Sequence, residues 1–438
     1  MRDLIILILV YGSLPFAAFS PFFGLGVFSW LAYMRPQDLA WGLGEERLSL
    51  MIGGAILVGL IFRFGRERLV TVRPQTLLMA LLGVWFFVAA KMAVFPDISA
   101  RWLEVFSKVI IVSIVTTGLV RNRSRFKILF AVIAISLGLL GLKYGLYGVM
   151  RGGARFDRGP GGFMVDNNHF AAALNMAIPL LVAIALTTKS KLLRIVAVTL
   201  VPFCVLAILF TFSRGGLLTL GVVTGLLVLR TKKRALAIPI VMVALLVYLF
   251  LPSEGFRQSY VDRASGIADF REDSSAMGRI EAWKISWQVF RDNPVHGVGP
   301  ENFLAVYRRY GDPDQAKVAH SSYFQFLAEC GLPAAVLFVG IILVSLIRLE
   351  SVASSRASPD DWTVIHARAL QTSIAAYAVG SLFLNMAYFD LFYHLVALSV
   401  CLEYITVHDA TEDEPVERKE EGPWWRQAPL ESPPSVGV

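Results

Sequence analysis

Long apolar runs alternate with short polar stretches along most of the chain. They fall at residues 3–34, 48–62, 75–95, 103–120, 126–150, 168–187, 192–212, 215–230, 235–251, 322–347, 364–386 and 390–406. Most approach or exceed the roughly 20 residues that carry a helix across a bilayer, and none shows the apolar/polar alternation of a half-exposed strand. The pattern predicts an all-α, polytopic membrane protein with about 12 transmembrane helices. Residues 1–251 would hold spans one to nine, 252–321 one large outer loop with short helices, 322–406 spans ten to twelve, and 407–438 a disordered cytoplasmic tail. The first run is too long for one straight crossing and contains Pro15 and Pro21, so it is either a broken helix or a hairpin of two short helices.

Composition agrees: 56% of the 438 residues are hydrophobic, 17% are charged and the mean hydropathy is +0.61, a balance no soluble domain could bury. Little chain is left for a soluble catalytic domain. The net charge of +8 is an orientation signal rather than a nucleic-acid footprint. The loops 63–73, 121–127, 188–194 and 230–234 carry fifteen basic residues against a single acid, Glu67. By the positive-inside rule they are cytoplasmic. The turns 35–47, 96–102 and 212–214 lack such an excess, and 252–321 has nine basic and ten acidic residues. These face the other side. The alternation requires either a single crossing by 3–34 or an outer N-terminus with a thirteenth span, and the expectation is twelve spans with both termini cytoplasmic. No cleavable signal peptide is needed, because the first apolar run has no small-residue cleavage site. Cys204, Cys330 and Cys401 have unrelated spacing and imply neither a metal site nor disulfides. From Asp409 onward, eight acids, three bases and five prolines read as disorder.

In the large loop, Ile280, Trp283, Trp287 and Phe290 recur at helical spacing until Asn293-Pro294. Such an amphipathic helix would lie on the membrane surface or roof a cavity, with its indoles at headgroup level. A second short helix is expected over Glu301 to Tyr310, after a Gly297-Val298-Gly299-Pro300 turn.

Three residues stand out chemically. Arg214, in the short outer turn Phe212-Ser213-Arg214-Gly215-Gly216, would bind phosphate oxygens at a helix start, the alternative being a snorkelling anchor. Arg279 precedes the amphipathic helix and would face the same mouth. His320 opens span ten and is one of few groups on this face able to take a proton near neutral pH, with His169 and His296 as rivals. The loop 151–169 holds Arg155, Arg158, Asn168 and His169, which would extend an anion site or form a plain solvated turn; with Tyr323 they are the candidate substrate-binding residues. Asp312-Pro313-Asp314 reads as a turn rather than a cation site. There is no Walker loop, dinucleotide fingerprint, zinc-protease motif or nucleophile elbow, and nothing calls for a metal or cofactor.

Taken together, Ser213-Arg214-Gly215-Gly216, Gly278-Arg279 with Trp283, Asn293-Pro294, Gly297-Val298-Gly299-Pro300-Glu301-Asn302-Phe303, and His320-Ser321-Ser322-Tyr323 through Glu329 and Gly331 resemble the O-antigen ligase and polymerase superfamily. Met1-Arg2-Asp3 and Tyr33-Met34-Arg35-Pro36 further resemble its branch of O-glycosylation ligases associated with exosortase systems. The resemblance implies a multi-pass enzyme of the bacterial inner membrane with a periplasmic active site. Its donor would be an undecaprenyl diphosphate-linked glycan and its acceptor the lipid A-core oligosaccharide, with no metal or nucleotide; a monomer is the expectation, with an oligomer left open. The family's essential arginines and histidine match Arg214, Arg279 and His320. Same-chemistry alternatives are a repeat-unit polymerase and a protein O-oligosaccharyltransferase. From another class, a transporter or flippase also fits twelve spans, but few ionisable residues, chiefly Lys91 and Lys143, interrupt them, and the long loop divides them nine to three.

Overall fold

A computed structural model of the chain describes residues 2–39, 43, 47–63, 67–152, 155, 156, 158–230 and 274–413. The expected span at 235–251, the loop residues 252–273 and the tail beyond 413 lie outside them. The described residues form an all-α bundle of fourteen helices: α1 Arg2–Phe19, α2 Pro21–Met34, α3 Leu48–Phe62, α4 Pro74–Lys91, α5 Pro96–Leu119, α6 Arg123–Met150, α7 Asn167–Thr187, α8 Lys191–Phe210, α9 Arg214–Arg230, α10 Ser274–Asp292, α11 Phe303–Tyr307, α12 Ser322–Ser354, α13 Trp362–Gly380 and α14 Asp390–Asp413. Eight of these, α1, α4 to α8, α12 and α14, are long and apolar enough to cross a membrane. The helices α2, α3, α9 and α13 complete the bundle with 14, 15, 17 and 19 residues.

Local chemistry sets the boundaries. Proline at the first position, where no amide hydrogen is needed, opens α2, α4 and α5, and the side chains of Asn122, Asp166, Ser190 and Asp361 accept backbone amides at the starts of α6, α7, α8 and α13. The helices α7 and α14 are enclosed on nearly all sides and form the axis of the bundle.

The chain's two kinds of loop collect at opposite ends. At the basic end Arg125 pairs with Glu67, Arg73 and Arg348 with Glu403, Arg368 with Glu350, and Arg121 with the Tyr404 hydroxyl. At the other end Val94 N donates to Val298 O, Asn167 Nδ2 to Thr211 O and Ser322 N to Ser381 O. The alternation inferred from loop charge is therefore present in space.

The first run corrects the expectation of a single crossing. Ser20 is extended, Pro21 starts a new helix, and α1 meets the short turn Pro36–Leu39 that follows α2, so the two helices fold back as a hairpin. Close packing permits it: Gly24 lies against Ala17 and Ile56, and Gly59 against the Ala18 carbonyl. The Arg2 end of α1 thus shares an end of the bundle with Asp38 and Lys143, opposite the basic loops. The helix expected around 280–290 is present as α10. Its packed face is Gly278, Ala282, Ile285, Ser286 and Val289, whereas Trp287 is about half exposed beside Phe290. The helix at 364–386 stops at Gly380, and the last helix runs on to Asp413 rather than ending at 406.

Candidate active site

The outer-end loops are held by backbone geometry that few residues tolerate. Phe212, Glu301 and His320 all have left-handed backbones (φ 53, 57 and 51°) without being glycine. Such conformations cost about 1–3 kcal/mol each and persist where surrounding contacts enforce them. Phe212 turns the chain out of α8. Ser213 then caps α9, its hydroxyl accepting from Gly216 N at 3.0 Å while its own amide donates to Thr211 Oγ1 at 3.1 Å. Arg214 follows, half-buried, at the start of α9. Beside it, Gly215 faces Phe383, whose ring borders that of Trp283 on α10, four residues after Arg279. Trp283 also stacks on Phe324 of α12, 5.8 Å between centroids.

His320 lies just ahead of α12. Ser322 fixes that start by donating its amide to Ser381 O at 2.8 Å and its hydroxyl to Leu384 O at 2.9 Å. Burial, and then the Arg279 guanidinium, hold the His320 imidazole below its ordinary value; His169 and Lys317 act in the same direction and Asp166 opposes them. His320 is thus neutral near pH 7, the form that can accept a proton. These interactions bring His320, Arg279 and His169 into one electrostatic neighbourhood. Asp166 fixes its rim: Oδ1 accepts from Asn168 N at 2.8 Å and Asn168 Nδ2 at 3.0 Å, and its backbone pairs with Arg158.

Among the predicted residues, Arg158, Asn168 and His169 lie on the same stretch of chain beside Asp166, while Arg214 stands at the start of α9, next to Gly215, which faces Phe383. Arg155 is exposed beside Phe156, which is tied back to Phe210 O. Tyr323 is committed elsewhere: its hydroxyl donates to Ala378 O at 2.9 Å. His296 turns its Nδ1 to Gly297 O. Asp312 caps the short turn Pro313–Gln315, as the turn reading expects.

Beneath the loop lies a cavity of about 190 Å³, walled by Trp102, Phe163 and Tyr388 and carrying Asp166, His169, Glu301 and Asn385. Its polar floor was not legible as a site. Gln325 Nε2 lies 3.3 Å from both Glu301 Oε1 and Glu329 Oε2, and Tyr388 donates its hydroxyl to Glu329 Oε2 at 2.5 Å. Burial pushes the Glu301 carboxyl up, against the Gln325 hydrogen bond. The chain of contacts rests on a break in α12 at Gly331 (φ 77°, ψ −176°), against which 294–299 runs: Val298 N and Gly299 N donate to Ala328 O and Glu329 O, and Leu332 N to Pro294 O. Irregular backbone inside a bundle is tolerated where it is buried or lines a cavity. Trp283 Nε1 and Asn385 Oδ1 are buried and have no hydrogen-bond partner among the described residues. An aromatic wall with acceptors and an amide, sharing His169 with the neighbourhood of Arg279 and His320, suits a sugar ring bearing an anionic leaving group.

Residues 199–339 match the family model described as O-antigen ligase. Residues 1–205 match a family of unknown function (DUF5935). No curated protein matches the chain. The first match contains Arg214, Arg279, Glu301, His320, Gln325 and Glu329, and the second contains Arg158, Asp166 and His169, so the neighbourhood at the outer end is assembled from both. Over residues 199–339, about a third of its length, this polytopic membrane protein is similar to the O-antigen ligase family.

Proposed function

We propose that the protein is an O-antigen ligase of the bacterial inner membrane, moving a glycan from undecaprenyl diphosphate to the lipid A-core oligosaccharide on the periplasmic face. The observation that carries the reading is the approach of His320, Arg279 and His169 to one another at the end of the bundle opposite the basic loops, above a cavity walled by aromatic rings. In this mechanism the acceptor hydroxyl oxygen attacks the anomeric carbon, and His320 takes the hydroxyl proton as the new carbon–oxygen bond forms. The bond from that carbon to the diphosphate oxygen breaks, and its electron pair leaves with the lipid diphosphate, which Arg214 and Arg279 neutralise. A single displacement inverts the anomeric centre. The α9 amide terminus adds a partial positive charge at Arg214. Arg158, Asn168 and His169 are proposed to hold the glycan side of the donor, without metal or nucleotide.

If the four basic loops are cytoplasmic, as this reading proposes, the hairpin of α1 and α2 supports a periplasmic N-terminus, the thirteen-span alternative. The test is transfer by purified protein offered lipid-linked glycan together with rough lipopolysaccharide. Glycan appearing on the lipopolysaccharide in one block supports the ligase. Growth of the lipid-linked glycan itself would make it a polymerase, glycan on an added acceptor protein a protein O-oligosaccharyltransferase, and uptake into sealed proteoliposomes without transfer a transporter.

A further inference from the structure

Away from the candidate active site, α2, α3 and α5 enclose an open groove of about 520 Å³ on the flank of the bundle. The floor is α2, which packs on both neighbours. Leu50 and Leu57 of α3 and Ile111 of α5 line it while remaining about half exposed, and Gly53 and Gly54 leave open space along one side. At the outer end the groove meets Arg35, Arg47, Arg101 and Lys108. Each comes from a segment that is close to neutral along the sequence, and only the fold gathers them. Two carboxylates answer these four cations: Glu104 lies 2.5 Å from Lys108 and 3.9 Å from Arg47, and Asp38 pairs with Arg35. Four cationic side chains thus gather at one rim above an apolar trough.

We infer that this groove is a binding site for an anionic bilayer lipid, its phosphate headgroup on Arg47, Arg101 and Lys108 and a hydrocarbon chain in the trough between α3 and α5. Charge complementarity at headgroup depth and apolar surface below it are the two halves of such a ligand. The adjacent residues Arg101 and Trp102 line the groove and the active-site cavity respectively, on neighbouring faces of α5, so a lipid held here braces the helix that carries the cavity's Trp102 wall. The inference does not require transfer activity and stands or falls separately from it.

Native mass spectrometry of the full chain in uncharged detergent tests it, with phosphatidylglycerol, phosphatidylcholine of the same chains, and inorganic diphosphate as probes. Phosphatidylglycerol should be retained in clear preference to phosphatidylcholine. A basic residue near the surface is worth about fivefold, so Arg47→Ser with Arg101→Ser should weaken retention about 25-fold. Gly54→Trp, which has room for its side chain and fills the trough, should weaken it comparably, while Arg68→Ser at the opposite end should not. Equal retention of the two lipids, retention unchanged in both groove variants, diphosphate binding as tightly as the lipid, or a dimer that forms only when lipid is removed would each overturn the assignment.

Discussion

Adding a single methyl at Gly331 tests whether the break in α12 builds the floor of the candidate site. Gly331 has φ 77° and ψ −176°, a region that is essentially glycine's alone, and an alanine forced to stay there loses about 1–3 kcal/mol. Its Cβ would also overlap the Val295 carbonyl and stand 2.9 Å from His296 N. Overlap with backbone cannot be relieved by turning a rotamer, and overpacking of this kind costs about 1–3 kcal/mol more. Gly331→Ala should therefore lose about 2–6 kcal/mol, or else force 294–299 off the break and with it the bonds to Ala328, Glu329 and Leu332. Gly340→Ala, nine residues along the same helix, is the control. Its methyl would meet Leu78 Cδ1 at 3.7 Å, an ordinary contact, and replacing a helical glycine gains up to about 1 kcal/mol. Thermal unfolding in detergent, read together with transfer activity, compares them. Gly331→Ala as stable and active as Gly340→Ala would refute the reasoning.

The remaining predictions concern the site and its orientation. Because burial and Arg279 lower the His320 value, the acid limb of kcat/KM should lie below the ordinary imidazole value of about 6.5. Activity should be retained above the limb and lost as pH falls through it, with Arg279→Gln moving the limb up and Asp166→Asn moving it down. Tyr323→Phe deletes a hydrogen bond to Ala378 O, so it should cost about 1 kcal/mol of stability and leave transfer within about twofold; a loss of a hundredfold at unchanged stability would make Tyr323 a substrate ligand. A cysteine at Asp3 should react with a membrane-impermeant reagent from the face opposite to a cysteine at Lys189. The native Cys204, Cys330 and Cys401 are all buried and give little background.

What the sequence disclosed follows from the range of the forces involved. Span positions and loop alternation were legible because a bilayer imposes length and polarity residue by residue, and the described residues of the basic loops reappear at one end of the bundle. The fate of 3–34 was not, since Pro15 and Pro21 both interrupt it; Pro15 stays inside α1, and only the packing of Gly24 and Gly59 selects the fold-back. The stripe from Ile280 to Phe290 marked a helix but did not show which face packs on the bundle, where the small Ala282 and Ser286 are buried. Arg214, Arg279 and His320 were visible as polar residues at span ends. Glu329 offered a signal as an acid in an apolar run. Tyr388 and Gln325 offered none: their partners lie far away in sequence, and neither residue type is unusual beside a span.

The central claim is that Arg279 and His320 act on one reacting centre at the periplasmic end of the bundle. Single-turnover transfer from lipid-linked glycan to rough lipopolysaccharide, with the wild type and with Arg279→Ala and His320→Ala, tests it most directly. A charge-assisted hydrogen bond of about 1.5–3 kcal/mol predicts that the arginine variant slows transfer by about one to two orders of magnitude. The histidine variant should slow by at least a hundredfold, with both proteins folded as judged by unfolding temperature. Wild-type transfer by either variant would contradict the account.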